Sequence, residues 1–211
     1  MKEFENIKKY IEFINSLDLT FDKNPEEYGY KNPVILLMDA TLSINRQYNK
    51  FVLPRIEYFK QSFPNINTLE KLNNLIKETG INDFENVWNY NHPKRVEILQ
   101  NLAKFFLEYK TENSIKDDLE SMKHWAKSVD INSGKILPID GMGFATSQYI
   151  RKMLGVDSVK PDVHIKRSII EGIGEKMSDK KTVMFIEIVA KEMGITPTAL
   201  DHAIWKHYSL K

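Results

Sequence analysis

Apolar residues recur at steps of three and four along most of this chain: Phe4, Ile7, Ile11 and Ile14, then Val52, Ile56, Phe59 and Phe63, and later Ile186, Val189 and Met193. A period near 3.6 gathers each set on one face of a helix, and no segment alternates apolar and polar residues well enough to read as a strand. The chain is therefore expected to be all-α. Helix starts are punctuated to match. Asn67 with Glu70 reads as an N-cap with its reciprocal acid, and Thr196 before Pro197 as a cap with proline in the first turn. Between Leu17 and Pro33 the stretch "DLTFDKNPEEYGYKNP" collects Pro, Gly, Asn and Asp, which predicts a crossing loop after the first helix and a boundary between lobes.

A chain of 211 residues with 42% hydrophobic and 28% charged content can bury a real core, as one large domain or two small lobes. The formal charge of +1 points to no polyanionic partner, so a nucleic-acid surface would have to come from local placement of the 30 Lys and Arg residues. With no cysteine, disulfides, thiolate zinc sites and cysteine-ligated iron–sulfur clusters are excluded. The start "MKEFENIKKYIEF" carries acids inside its apolar stretch, and no run of 18 apolar residues occurs anywhere. The expectation is a cytoplasmic protein with no signal peptide and no membrane partner.

The densest chemistry lies in "LPIDGMGFATSQYIRKMLGVDSVKPDVHIKRSI". Gly141 and Gly143 remove two Cβ atoms from a tight turn, which permits positive φ and lets another backbone approach the N–H groups. Phe144 to Leu154 reads as helical, so those N–H groups would sit at a helix N-terminus, where the dipole favours an anion. Taken alone, a Gly-x-Gly between helices is more often a simple connection. Pro161 fits the first position of the next helix and puts Asp162 in its first turn, where a carboxylate either stabilises the helix start or does chemistry.

"GMGFATSQYIRKML" followed by "VKPDVHIKR" resembles the helix-hairpin-helix (HhH-GPD) DNA glycosylases, the superfamily of endonuclease III, 8-oxoguanine glycosylase and 3-methyladenine glycosylase II. The family's hairpin of the type Leu-Pro-Gly-Val-Gly is met by Ile139, Asp140, Gly141, Met142 and Gly143. Its Val-Asp-x-His-(Ile/Val)-x-Arg is met by Pro161, Asp162, Val163, His164, Ile165, Lys166 and Arg167. Fainter likeness extends over about residues 33 to 208.

The resemblance implies a single two-lobed all-α HhH-GPD domain over 1–211. Its lobe 1 would span about 33–130, its lobe 2 about 1–17 plus 131–211, and its helix-hairpin-helix about 132–154. The active site would lie in the cleft between lobes. The partner it implies is double-stranded DNA containing a damaged or mismatched base, bound by a monomer in the cytoplasm at the nucleoid. The hairpin residues Gly141, Met142, Gly143 and Ala145 would hold phosphate, and Asp162 would be the catalytic carboxylate that stabilises positive charge growing on the sugar. No cofactor, metal or iron–sulfur cluster is expected, although a structural monovalent cation at the hairpin is compatible with the family.

One departure matters. Family members that also cleave the strand carry a lysine two residues past the second hairpin glycine, and here that position is Ala145. A monofunctional DNA N-glycosylase of base excision repair is the expectation. The alternatives are a non-catalytic helix-hairpin-helix DNA binder and, if Ala145 stands where the natural residue is lysine, a bifunctional glycosylase/lyase. Asn45, Trp88, Tyr90, His92, Phe144, His164, Lys166 and Arg167 are further DNA or base contacts, each weighed against ordinary core packing or a solvated helix face. Arg151 and Lys152 add positive charge near the hairpin.

Overall fold

The computed structural model describes residues 2–21, 29–132 and 136–209, and all regular secondary structure among them is helical. In chain order the elements are α1 (Lys2–Ser16), α2 (Pro33–Leu42), a π-turn (Tyr48–Val52), α3 (Leu53–Ser62), α4 (Leu69–Thr79) and α5 (Glu85–Trp88). There follow α6 (Pro93–Glu112), α7 (Asp118–Ser128), α8 (Phe144–Met153), α9 (Val163–Ile173), α10 (Asp179–Glu192) and α11 (Pro197–Ser209). The crossing loop expected between Leu17 and Pro33 includes residues 22–28, which lie outside the described residues.

The chain divides into two compact units, Gly29–Leu154 and Met1–Tyr28 with Gly155–Lys211. The division falls after Leu154, so the hairpin and α8 go with the central unit, whereas the sequence reading groups residues 131–154 with the flanking segments. The reason is packing: α8 buries Ile150 and Met153 and lies against α2 and α7.

In the unit Gly29–Leu154 the organising element is α2. Every one of its residues is buried, and α3, α4, α6, α7, α8 and the π-turn pack around it. A helix whose apolar residues fall on every face is stable only in such a position, and its one carboxylate, Asp39, is buried with it. Its start is fixed by Asn32, whose side chain accepts from the Val34 and Ile35 amides. The start of α4 corrects the sequence reading by one residue. Thr68, in extended conformation, is the N-cap and accepts from the Lys71 amide at 3.3 Å, while Asn67 Oδ1 receives Lys71 Nζ at 3.1 Å. Asp118 then ties three helices, accepting the Leu69 amide at 2.8 Å and pairing with Lys110 of α6.

In the other unit α1 packs on α9 and α10, and α11 closes on α9 and α10. The buried face of α1 is Ile7, Tyr10 and Ile14, while Phe4 is exposed. The close approach of α1 and α9 depends on Gly172, where a Cβ would stand 2.7 Å from both Phe13 Cδ1 and Tyr10 Cδ2. Tyr10 Oη bonds Ser168 Oγ at 2.6 Å across the same seam. Thr196 caps α11 as its sequence predicts, its hydroxyl accepting from the Ala199 amide at 3.2 Å. No helix among the described residues is long and apolar enough to cross a membrane.

Candidate functional site

The hairpin is built from the apolar residues around it. Leu137, Ile139 and Met142 are buried, and the Met142 amide donates to the Ile139 carbonyl at 3.1 Å to close the turn. Gly141 sits at φ +86°, and a Cβ there would stand 2.6 Å from Ile98 Cδ1 of α6. No other residue fits without displacing that side chain. Gly143 is the N-cap of α8 in extended conformation, with no side-chain cap and open space where a Cβ would project. The first amides of α8 are thus left without a side-chain acceptor, and the positive end of the helix dipole faces an uncrowded approach. Such an end accepts an oxyanion readily. Met142, expected among the phosphate-binding residues, uses both its side chain and its amide internally, so the amides on offer belong to Gly143 and the residues after it.

These two glycines should respond oppositely to alanine. Gly141→Ala combines a left-handed backbone with the Ile98 contact and should cost about 1–3 kcal/mol of stability. Gly143→Ala meets nothing and should stay within about 0.5 kcal/mol. Thermal unfolding of the two variants side by side checks this.

Phe144 and Ala145 are half-buried in the first turn of α8, and the Ala145 methyl offers no amine. The basic residues near the hairpin divide in their roles. Arg151 donates to the Ala126 carbonyl at the end of α7 and to Gln148, and Lys152 is buried, so neither stands on an ordinary solvated helix face.

Asp162 is the N-cap of α9 and not a residue of its first turn, a one-residue correction that also moves Pro161 outside the helix. Its Oδ1 accepts from the His164 amide at 2.9 Å and the Ile165 amide at 3.2 Å. Its Oδ2 has no hydrogen-bond partner among the described residues. The carboxylate is therefore held rigidly by one oxygen while the other is left over. Lys166 pairs with Asp179, and Arg167 with Glu171 at 2.8 Å, so these two cations of α9 are already matched by acids. His164 is half-buried.

Residues 45 and 88–92 all lie in the central unit. Asn45 occupies a turn between α2 and the π-turn at φ +54°, exposed, which corrects the helical placement considered from sequence. Trp88 is fully buried and donates Nε1–H to the Tyr90 carbonyl at 2.6 Å, so it is core and not a surface for a base. Tyr90 and His92 are half-buried with ring centroids 5.3 Å apart, and His92 Nδ1 caps α6 by accepting the Arg95 amide at 3.3 Å.

Sequence reasoning passed over a buried carboxylate. Asp39 on α2 is fully buried and receives Tyr30 Oη at 2.6 Å and Tyr48 Oη at 2.9 Å on Oδ2, and Tyr149 Oη at 2.8 Å on Oδ1. Burial, and then the Asp39 charge, push all three phenols above the ordinary tyrosine range. Protonated phenols are what a buried carboxylate with such neighbours needs. The cluster ties α8, through Tyr149, to α2 and the π-turn. Among the described residues no group of three or more His, Cys, Asp or Glu side chains is placed to hold a metal ion.

A family model described as "Domain of unknown function (DUF8548)" matches residues 13–209. No curated protein matches the chain. Among solved structures, the chain is similar to a Methanocaldococcus jannaschii 8-oxoguanine glycosylase/lyase in complex with a 15mer DNA containing 8-oxoguanine, at 18% identity and a TM-score of 0.47, covering 97% of this chain and 90% of that one. A crystal structure of the 8-oxoguanine DNA glycosylase of the same organism is similar at 17% identity and a TM-score of 0.49, covering 99% of this chain and 87% of that one.

Proposed function

The chain belongs to the family described as domain of unknown function DUF8548, a description that carries no chemistry, and from its residues we propose a DNA N-glycosylase that excises a damaged or mismatched base from duplex DNA. The observation that carries the reading is the state of Asp162. Two backbone amides fix Oδ1, and Oδ2 is left with no partner among the described residues, as a carboxylate needs to be if it is to act on something else. The motif resemblance puts that carboxylate in the catalytic register, and the uncapped α8 behind Gly143 supplies a separate element suited to a strand phosphate.

The chemistry follows. Heterolysis of the C1′–N bond leaves the electron pair on the departing base nitrogen and positive charge on the sugar. The Asp162 carboxylate stabilises that charge and accepts a proton from the water that adds to C1′. That proton passes from the carboxyl group to the departed base nitrogen through solvent, so the products are neutral free base and an abasic site and the carboxylate is regenerated. Extrusion of the nucleotide costs a few kcal/mol of stacking, least for a damaged or mismatched base, which gives selectivity before any pocket contact. With alanine at 145 no amine is supplied there for a Schiff base with the sugar, so the reading is monofunctional. Tyr90, His92, Phe144 and Asn45 are half-buried or exposed and are its base or strand contacts. Trp88 is not among them.

One observation favours a second reading. The helix cap that Asp162 already makes through Oδ1 is also what a non-catalytic helix-hairpin-helix DNA binder would keep. Base release separates the two. A panel of duplexes carrying 8-oxoguanine, 3-methyladenine, hypoxanthine, uracil or a G·T pair, read with and without alkali, should give strand breaks only after alkali on at least one duplex. Breaks without alkali would mean an amine other than one at position 145. Binding to every duplex with release from none would leave the non-catalytic binder.

A further inference from the structure

We propose that Arg46 and Arg55, gathered on the Phe51 ring beside Tyr90, form a phosphate-binding site of the unit Gly29–Leu154, separate from the hairpin. The guanidinium of Arg55 lies 3.7 Å from the Phe51 ring centroid and that of Arg46 5.3 Å from it. Tyr90 meets Phe51 edge-on at 4.8 Å and its hydroxyl accepts Arg46 Nη2 at 2.9 Å, while Arg46 Nη1 donates to the Asn45 carbonyl at 3.0 Å. A third guanidinium, Arg95, is close enough to feel the Arg46 charge, and both its Nη atoms donate to the Thr41 and Ile44 carbonyls at and just past the end of α2. Three like charges thus share one small region.

No acid in the described structure neutralises them. Among the described residues none of the three arginines forms an ion pair with a carboxylate, and residues 40–56 contain Arg46, Lys50 and Arg55 and no acid. Desolvation holds the Arg55 guanidinium below its ordinary pKa, and the neighbouring Arg46 charge acts in the same direction. Arg55 also has a buried Nε with no hydrogen-bond partner among the described residues, while its Nη1 is taken by the Phe51 carbonyl at 2.9 Å. The buried Nε is no contact for an anion and only adds to the cost of holding the charge there, whereas Nη2, with no hydrogen-bond partner among the described residues, is the donor on offer. The aromatic rings fix the planes of the guanidinium groups, so less freedom is lost when an anion arrives.

The chemistry that fits is a phosphate group. Its oxygens accept from planar guanidinium forks in pairs, and its charge offsets a cluster of this kind. Arg95 is buried with its Nη atoms on carbonyls and contributes field and not contact, whereas exposed Arg46 keeps Nε and the second hydrogen of each Nη for an anion. The source we favour is a backbone phosphodiester, which rests on the DNA reading above; the alternative source is a free phosphate.

The test uses the full chain, wild type against Arg46→Gln and the double variant Arg46→Gln/Arg55→Gln. Binding of an undamaged duplex is followed by fluorescence anisotropy across a salt series. Removing one phosphate-binding arginine should reduce the slope of log affinity against log salt by about 1, so the double variant should show a slope lower by about 2. Inorganic phosphate added during thermal unfolding forms the second arm. A rise in Tm present in wild type and absent in the variants, with the duplex slope unchanged, would assign the site to free phosphate and overturn the phosphodiester source. No change in either arm overturns the site altogether. Arg46 is exposed, so its single variant carries the result should the double variant unfold. Base release is scored separately: a wild type that binds duplex with the full slope but frees no base loses the glycosylase reading and keeps this site.

Discussion

Asp162→Asn should cut base release by roughly a hundred- to ten-thousandfold while leaving thermal stability and duplex affinity near wild type. The prediction is sharp because the carboxylate's two oxygens have different occupations. Oδ1 caps α9 by accepting the His164 and Ile165 amides. Asparagine is as good a helix cap as aspartate, and its carbonyl oxygen can take the same two amides. What asparagine cannot do is carry negative charge on the other atom. Charge is therefore removed with the fold held constant. Asp162→Ala is the companion variant: it loses the cap as well and should cost about 1 kcal/mol, or roughly 2–4 °C in a chain of this size. Single-turnover base release on the best duplex of the panel, with binding measured in parallel, reads the difference. Release from Asp162→Asn at the wild-type rate would remove the catalytic role and leave Asp162 as a cap alone.

The parts of this molecule that are legible from sequence are those whose cause is local. The periodic apolar steps mark α3 and α10 on the faces they bury, and the Gly-x-Gly turn followed by a helix stands where the glycines put it. Thr196 before Pro197 marks the start of α11 because both signals act within three residues. Two other starts fall one residue from their expected place, at Thr68 and at Asp162, because neighbouring residues offer competing caps and only backbone conformation decides between them. In α1, Tyr10 and not Phe4 completes the buried face, a choice made by the α9 surface through Ser168 and Gly172. The Asp39 cluster is invisible in sequence because its three phenols come from positions 9, 9 and 110 residues away. Arg95 similarly reaches carbonyls 54 and 51 residues back. A signal for the arginine site is nonetheless present: the acid-free run from 40 to 56 with its three cations and Phe51.

Trp88→Ala should be the most destabilising single substitution among the residues considered from sequence as base contacts, at about 3–5 kcal/mol, which corresponds to a fall in Tm of roughly 10 °C. The side chain is wholly buried, packs edge-on to Phe84 at 5.4 Å and donates its N–H inward, to the Tyr90 carbonyl. A base cannot stack on a ring that solvent does not reach. Its bearing on the proposed arginine site is indirect: that bond fixes the backbone of Tyr90, whose ring meets Phe51 and whose hydroxyl receives Arg46. Trp88→Phe separates packing from support, because phenylalanine keeps an aromatic ring beside Phe84 while giving up the N–H. It should cost about 1 kcal/mol beyond the effect of the smaller ring, and leave the salt slope of duplex binding intact if Phe51 and Arg46 suffice to hold Tyr90. Thermal unfolding together with the same anisotropy series decides. A Trp88→Ala protein with unchanged Tm and abolished affinity would return Trp88 to the DNA surface, whereas a large fall in Tm with Trp88→Phe binding as wild type places its contribution in the core that carries Tyr90.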